Sequence, residues 1–448
     1  MKRLAAGAAV ALVLGAAPAA SAAGPRVVVV PAGGSVQAAV DQLHGHGTVV
    51  LRGGTFTGRV VVDGAHGLTL RAYPGEHPVL SGAGLSPSPG ITGLLEITRS
   101  SKVTVSGLDI TAYRSRSLGV TPAGIYVHGH DSRVVLRGNH VHDLGNEAGV
   151  LGSFDFGAHG IAAYGDDPAQ PITGLVIAGN TVDHLKLGAS ESVVVNGNVT
   201  HWSVVRNHIY DNDNIGIDAI GFEPTLPEPY RYTDTNRARD GVIADNTVAR
   251  IRSEGNPSYW SDGAWCNCAD GIYVDGGTRI VIRGNTVQDN DIGIEVAAEN
   301  ARGSADHVLV TRNSISGSRY VGIATGGYCN GAEACGGVET GTSHDNTFTR
   351  NVLRGDNQLD DGSPEVLVQY HASHDTFTRN DIVASNSDHV VYGTVPDSDS
   401  HDNRSDHNVF SATGATAAEA VFGWLDRTWT GFDAYRSATG QDRHSRFR

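Results

Sequence analysis

Residues 284–296 read GNTVQDNDIGIEV. Asn285 opens a short piece, Thr286 to Gln288, with one apolar residue between two polar ones. A polar turn at 289–291 follows, and Ile292 to Val296 then alternates apolar with variable residues. Period-2 alternation is the mark of a strand with one buried face. The stretch therefore predicts two short strands separated by a tight turn, and its recurrence decides the fold.

The opening phrase returns as GNHVHDL, GNTVDHL, RNHIYDND, DNTVARI, RNSISGSR, RNVLRGDN and RNDIVASN. Its asparagines are Asn139, Asn180, Asn207, Asn246, Asn285, Asn313, Asn351 and Asn380, spaced 27 to 41 residues apart. Between them lies a second phrase: AGIYVHG, HGIAAYG, SVVVNGN, IGIDAIG, DGIYVDG, IGIEVAA and VGIATGG. One such turn cannot bury its apolar face alone, whereas stacked turns bury a continuous column of Val and Ile. The asparagine is expected at an αL turn position, its amide bonding to the next turn's copy.

Gly-Asn-x-Val/Ile phrases with spaced Gly-Ile-x-Val strands resemble the right-handed parallel β-helix proteins of the pectin-lyase-like superfamily. The resemblance implies an all-β fold, a right-handed parallel β-helix (solenoid) over residues 48–410. It does not imply one activity, because that superfamily holds lyases, hydrolases, epimerases and adhesins. In residues 23–47, SVQAAVDQL (Ser35 to Leu43) predicts an amphipathic helix capping the first turn. Residues 411–448 leave the repeat and carry Phe422, Trp424, Trp429, Phe432 and Tyr435, an expected aromatic cap over the open end.

Residues 1–22 have the form of a secretory signal peptide: Lys2 and Arg3, an apolar run, then Ala20-Ser21-Ala22. An exported protein without a membrane anchor, monomeric, is expected. The net charge of −15 disfavours nucleic acid and anionic membranes as partners. In that compartment Cys266, Cys268, Cys329 and Cys335 are expected to form disulfides that clip long loops, in one of three connectivities.

With Ile placed inward, the outward positions follow by alternation. They read Tyr126 and His128, Ala162 and Tyr164, Val194 and Asn196, Asp218 and Ile220, Tyr273 and Asp275, Glu295 and Ala297. Asp218, Asp275 and Glu295 fall on three successive turns. Strands lie about 4.8 Å apart, so Asp218 and Glu295, two turns apart in one column, are roughly 9.6 Å apart at the backbone. Carboxylates so placed repel, and at least one pKa should rise unless a cation sits among them. The columns contain no Lys or Arg, unlike a merely solvated face.

Paired carboxylates perform glycoside hydrolysis, one protonating the leaving oxygen and the other attacking or activating water. The pattern is similar to β-helical glycosidases, which implies Asp218, Asp275 and Glu295 as a catalytic set needing no cofactor. Tyr126, His128, Tyr164, Asn196, Glu299, Tyr259, Trp260 and Trp265 are expected to bind a polysaccharide or oligosaccharide, with Glu191 and Asp270 in support. Lyases of this fold imply a second reading. There, calcium would be held by Asp218, Asp275 and Glu295, and Lys186 or a loop Arg would act as base. A non-catalytic glycan-binding β-helix is the third. His128 and His130, with His140 and His142, form a local histidine cluster, read as solvated surface with a transition-metal site as the sharper alternative.

Overall fold

The computed structural model describes residues 26–332 and 336–448; the expected signal peptide and Cys335 lie outside the described residues. Each turn of the chain contributes three strands, one to each of three long sheets of 13 strands. In the turn containing 284–296, Val281–Arg283 belongs to the first sheet, Thr286–Gln288 to the second and Ile292–Ala297 to the third. Pairing is parallel from turn to turn, Val281 with Leu309, Thr286 with Ser314 and Ile294 with Ile323. The chain is a right-handed parallel β-helix.

The inward residues of the third sheet form one column, Ile217, Ile272, Ile294 and Ile323, fully buried among the Val and Ile of the other sheets. The glycine before each is dictated by contact with the next turn. A Cβ at Gly293 would sit 2.3 Å from the Gly322 carbonyl oxygen, and one at Gly216 would sit 2.6 Å from that of Gly271.

The asparagines stack between the first and second sheets. The N–H and Nδ2 of Asn285 both donate to Asn313 Oδ1, each at 3.0 Å, and Nδ2 also donates to the Ile243 carbonyl at 3.0 Å. Asn285 Oδ1 in turn accepts from the N–H and Nδ2 of Asn246, at 2.9 and 3.0 Å. The ladder continues to Asn408, whose Oδ1 accepts from Asn380. The preceding His407 hides this copy from a Gly/Arg/Asp-Asn search. One expectation is corrected: the αL residue is not the asparagine but its predecessor, as at Arg206, Asp245, Gly284 and Arg312. That residue turns the chain, which frees the asparagine to point inward to the ladder.

Both ends are covered. Helix Val36–Leu43 is capped by Ser35, whose Oγ accepts from the Ala38 N–H at 3.1 Å, and buries Val36, Ala39, Val40 and Leu43. At the other end, an antiparallel hairpin (Val421–Trp424 with Arg427–Thr430) and helix Phe432–Thr439 bury Phe422, Trp424, Phe432 and Tyr435. No helix among the described residues is long and apolar enough to cross a membrane.

Candidate active site

The third sheet pairs as alternation predicts. Val194 faces Asp218, Asp218 faces Tyr273, and Tyr273 faces Glu295. Asp275 lies opposite Ala297 in the neighbouring column. The face they share is not open to solvent. Asp218 is 2 % exposed, Asp275 6 % and Glu295 1 %, because loops fold over the sheet.

The first loop, 221–239, buries its own Phe222 and Leu226, with Phe222 packed against Gly276 and Gly303. Asn236 Nδ2 ties it together through the carbonyls of Glu223 (2.7 Å) and Arg231 (3.0 Å), while buried Arg237 pairs with Asp306 at 2.7 Å. Loop 252–269 adds Tyr259, whose hydroxyl accepts from Asn214 Nδ2 at 3.1 Å. Tyr328 arrives from the next turn and its hydroxyl meets that of Tyr273. Between loops and sheet is a cavity of about 490 Å³, whose wall includes Asp270, Glu295, Glu299, Tyr259, Tyr273, Tyr328 and Gln369. None of the described residues lining it is Lys or Arg.

Electrostatics follow from burial without counter-charge. Burial drives Glu295 up to about 7, against hydrogen bonds from Asp270 and from Gln369 Nε2, which donates to Oε1 at 2.8 Å. Glu299 is pushed to about 7 by burial and by Glu223, opposed by a hydrogen bond from Tyr273. Asp270 rises well above the carboxylate range through burial and the charge of Glu295, and their shared hydrogen bond raises Asp270 while lowering Glu295. Burial and mutual repulsion favour a proton shared by this pair. Behind this pair, burial and neighbouring acids raise Asp218, Asp275 and Glu191. Asp275 accepts the Glu299 N–H at 2.8 Å, but Asp218 Oδ1 and Asp270 Oδ1 are buried without a hydrogen-bond partner.

The expected site residues divide accordingly. Glu295, Glu299 and Tyr259 line the cavity together with Asp270; Asp218 and Asp275 stand behind it. Asn196 is fully buried, holding the first loop through Glu223 (2.6 Å) and Thr225 (2.7 Å). Tyr126 stacks on His128 at 4.5 Å and meets the edge of Tyr164, with His128 bonded to Glu96 at 3.2 Å, on earlier turns. Trp260 and Trp265 pack on each other across a two-residue hairpin, 4.6 Å between rings. Lys186 lies elsewhere, 3.3 Å from Asp213 and lining a separate surface cavity with Arg114 and Glu254. Cys266 and Cys268 form a disulfide with each other and line the active-site cavity. A bridge two residues apart does not clip a long loop, so that part of the expectation is corrected. Asp218, Asp275 and Glu295 are not among the described sets of three or more groups with ligand atoms within 4.8 Å of one another.

Tyr320, Leu359, Asp361, Leu367 and Gln369 also line the cavity without having been singled out from the sequence. Leu367 could have been found, since it continues the outward column after Ala324.

No family model matches the chain. It is 33% identical over 403 residues, 89% of its length, to the uncharacterized protein YwoF of Bacillus subtilis (strain 168), of which the match covers 80%. The chain belongs to the YwoF family. Among solved structures, this YwoF-family chain is similar to the GH136 lacto-N-biosidase of Eubacterium ramulus. The TM-score is 0.52 at 15% identity, over 94% of this chain and 68% of that one. It is also similar to the Dettilon tailspike protein (gp208), with a TM-score of 0.51 at 13% identity, over 94% and 68%. At these identities the likeness is one of fold.

Proposed function

We propose that the chain is a secreted, monomeric glycoside hydrolase that cleaves glycosidic bonds in an oligosaccharide or polysaccharide and needs no cofactor. One observation carries the reading: Glu295 and Glu299 line the same roofed cavity, which has no Lys or Arg among its described lining residues, and burial pushes both carboxyls up to about 7. Two interacting carboxyls in that range hold one proton between them near neutral pH, the state in which one acts as acid and the other as base or nucleophile. Glu295, which accepts from Gln369 Nε2, is assigned as the carboxylate, and Glu299, beside Glu223, as the proton donor. Burial and the neighbouring Glu223 keep the donor protonated. Tyr259 and Tyr328 offer aromatic rings to a sugar, and the fold is shared with a lacto-N-biosidase.

Against the lyase reading with a Lys or Arg base stand the lack of either among the described lining residues and the position of Lys186. The test is a panel of neutral, acidic and amino-sugar glycans, scored for new reducing ends and for the ultraviolet absorbance of unsaturated products. Reducing ends without ultraviolet absorbance are expected, undiminished by chelator. Unsaturated products would establish a lyase instead, and tight glycan binding without any product would establish a binding protein.

A further inference from the structure

The histidine pair of GNHVHD lies on the second sheet, not on the sheet that bears the carboxylate chamber. Strand His140–His142 is flanked by Asp109–Thr111 on one side and Thr181–Asp183 on the other. The register sets Asp109 opposite His140 and Asp183 opposite His142. The two imidazoles, two residues apart on the strand, stack with ring centres 4.0 Å apart. Each ring then has one nitrogen turned toward Asp109 and the other held by a different carboxylate. His142 Nε2 is 2.8 Å from Asp109 Oδ1, while its Nδ1 is 2.7 Å from Asp143 Oδ2. His140 Nδ1 is 3.8 Å from Asp109 Oδ2, while its Nε2 is 2.6 Å from Asp183 Oδ1.

We propose that Asp109, His140 and His142 bind a divalent transition metal of the zinc class, with Asp183 and Asp143 orienting the two imidazoles. The ligand atoms of the three lie within 4.8 Å of one another. Bonds of about 2.0–2.1 Å in a tetrahedron place ligand atoms about 3.3 Å apart; the nitrogen–oxygen distances, 2.8 Å from His142 to Asp109 Oδ1 and 3.8 Å from His140 to Asp109 Oδ2, lie on either side of that value. A carboxylate on the far nitrogen of a metal-bound histidine fixes its tautomer and raises its basicity, and both rings have one. Asp183 is itself held, its second oxygen 2.6 Å from His184 Nδ1. The side chains of the three ligands are only partly exposed, which leaves room for water at the remaining coordination positions.

A second cluster supplies an internal control. Asp406, His407 and His444 also lie within 4.8 Å, but both imidazoles turn Nδ1 to the one carboxylate of Asp406, at 3.4 and 2.7 Å. Among the described residues no hydrogen bond orients their other nitrogens, and both histidines are exposed.

The experiment uses the full chain, untagged and stripped with chelator, titrated with Zn²⁺ against a chromophoric competitor and with Co²⁺ followed by visible absorbance. One tight equivalent is expected, with the visible band of low-symmetry Co²⁺. His140→Ala and His142→Ala should each weaken binding at least about 100-fold, and Asp183→Asn about 10- to 100-fold. His444→Ala should leave the tight equivalent unchanged. Thermal unfolding of the metal-free variants near the wild-type midpoint confirms that they fold, and Asp183→Asn keeps the volume of the native side chain. Absence of a tight equivalent in the wild type, or its survival in the His140→Ala/His142→Ala double variant, would overturn the proposal.

Discussion

The asparagine ladder and the carboxylate chamber bury polar groups in the same solenoid with opposite results. Every ladder amide meets a donor or acceptor supplied by the turn above or below, as at Asn285. The chamber gathers Glu191, Asp218, Asp270, Asp275, Glu295 and Glu299 around one wall, leaves Asp218 Oδ1 and Asp270 Oδ1 unpartnered, and places no Lys or Arg among the described lining residues. A buried amide that is fully bonded stabilises; a buried carboxylate without a counter-charge destabilises and keeps its proton. The first region is built for stacking. The second is built for something that enters it.

The sharpest way to break that contrast is Glu295→Gln. The account expects at least about a 1,000-fold loss of kcat on a substrate found in the glycan panel, with the fold intact by thermal unfolding. Retained activity would remove Glu295 from the chemistry. Next in size, Asn285→Ala orphans the N–H and Nδ2 of Asn246 and removes a donor to Ile243. Chemical denaturation should show a loss of about 2–4 kcal/mol, with kcat nearly unchanged. A loss well under 1 kcal/mol would mean that water replaces the ladder bond. The smallest effect is expected from Gln369→Leu, which removes a donor to Glu295 Oε1. Glu295 should then hold its proton more tightly, moving the acidic limb of the pH–rate profile upward by about one unit or less. A limb that stays in place would assign it to another group.

How far the sequence reaches is seen in these same residues. The repeated Asn and Gly-Ile phrases were enough for the solenoid, because each is forced by contact between turns. Alternation was enough for the column Val194, Asp218, Tyr273 and Glu295. It fails at the strand glycine. Counting back by twos from Ile272 would bury Asp270 in the core, yet Asp270 lines the cavity, because Gly271 faces inward as Ile272 does: a Cβ there would meet the buried side chains of Val287 and Asn290. The loops over the face were visible only as insertions. Their folding across the sheet decides that Asn196 holds the roof and that Glu299 faces the cavity beside Glu295. No local periodicity encodes a contact such as Asn196 with Glu223. The histidines were read as surface, and only the register that sets Asp109 and Asp183 on either side gives them a geometry.

The most direct test of the account is unfolding free energy against pH, in chelator, for the wild type and Glu295→Gln. A carboxyl raised from 4.5 to about 7 in the folded state adds stability that is fully present below about 4.5 and is lost as pH rises through 7. The two proteins should therefore be alike near pH 4, and the variant should be more stable by on the order of 3 kcal/mol at pH 8. A difference that stays flat from pH 4 to 8, or that favours the wild type at pH 8, would contradict a chamber of uncompensated buried carboxyls.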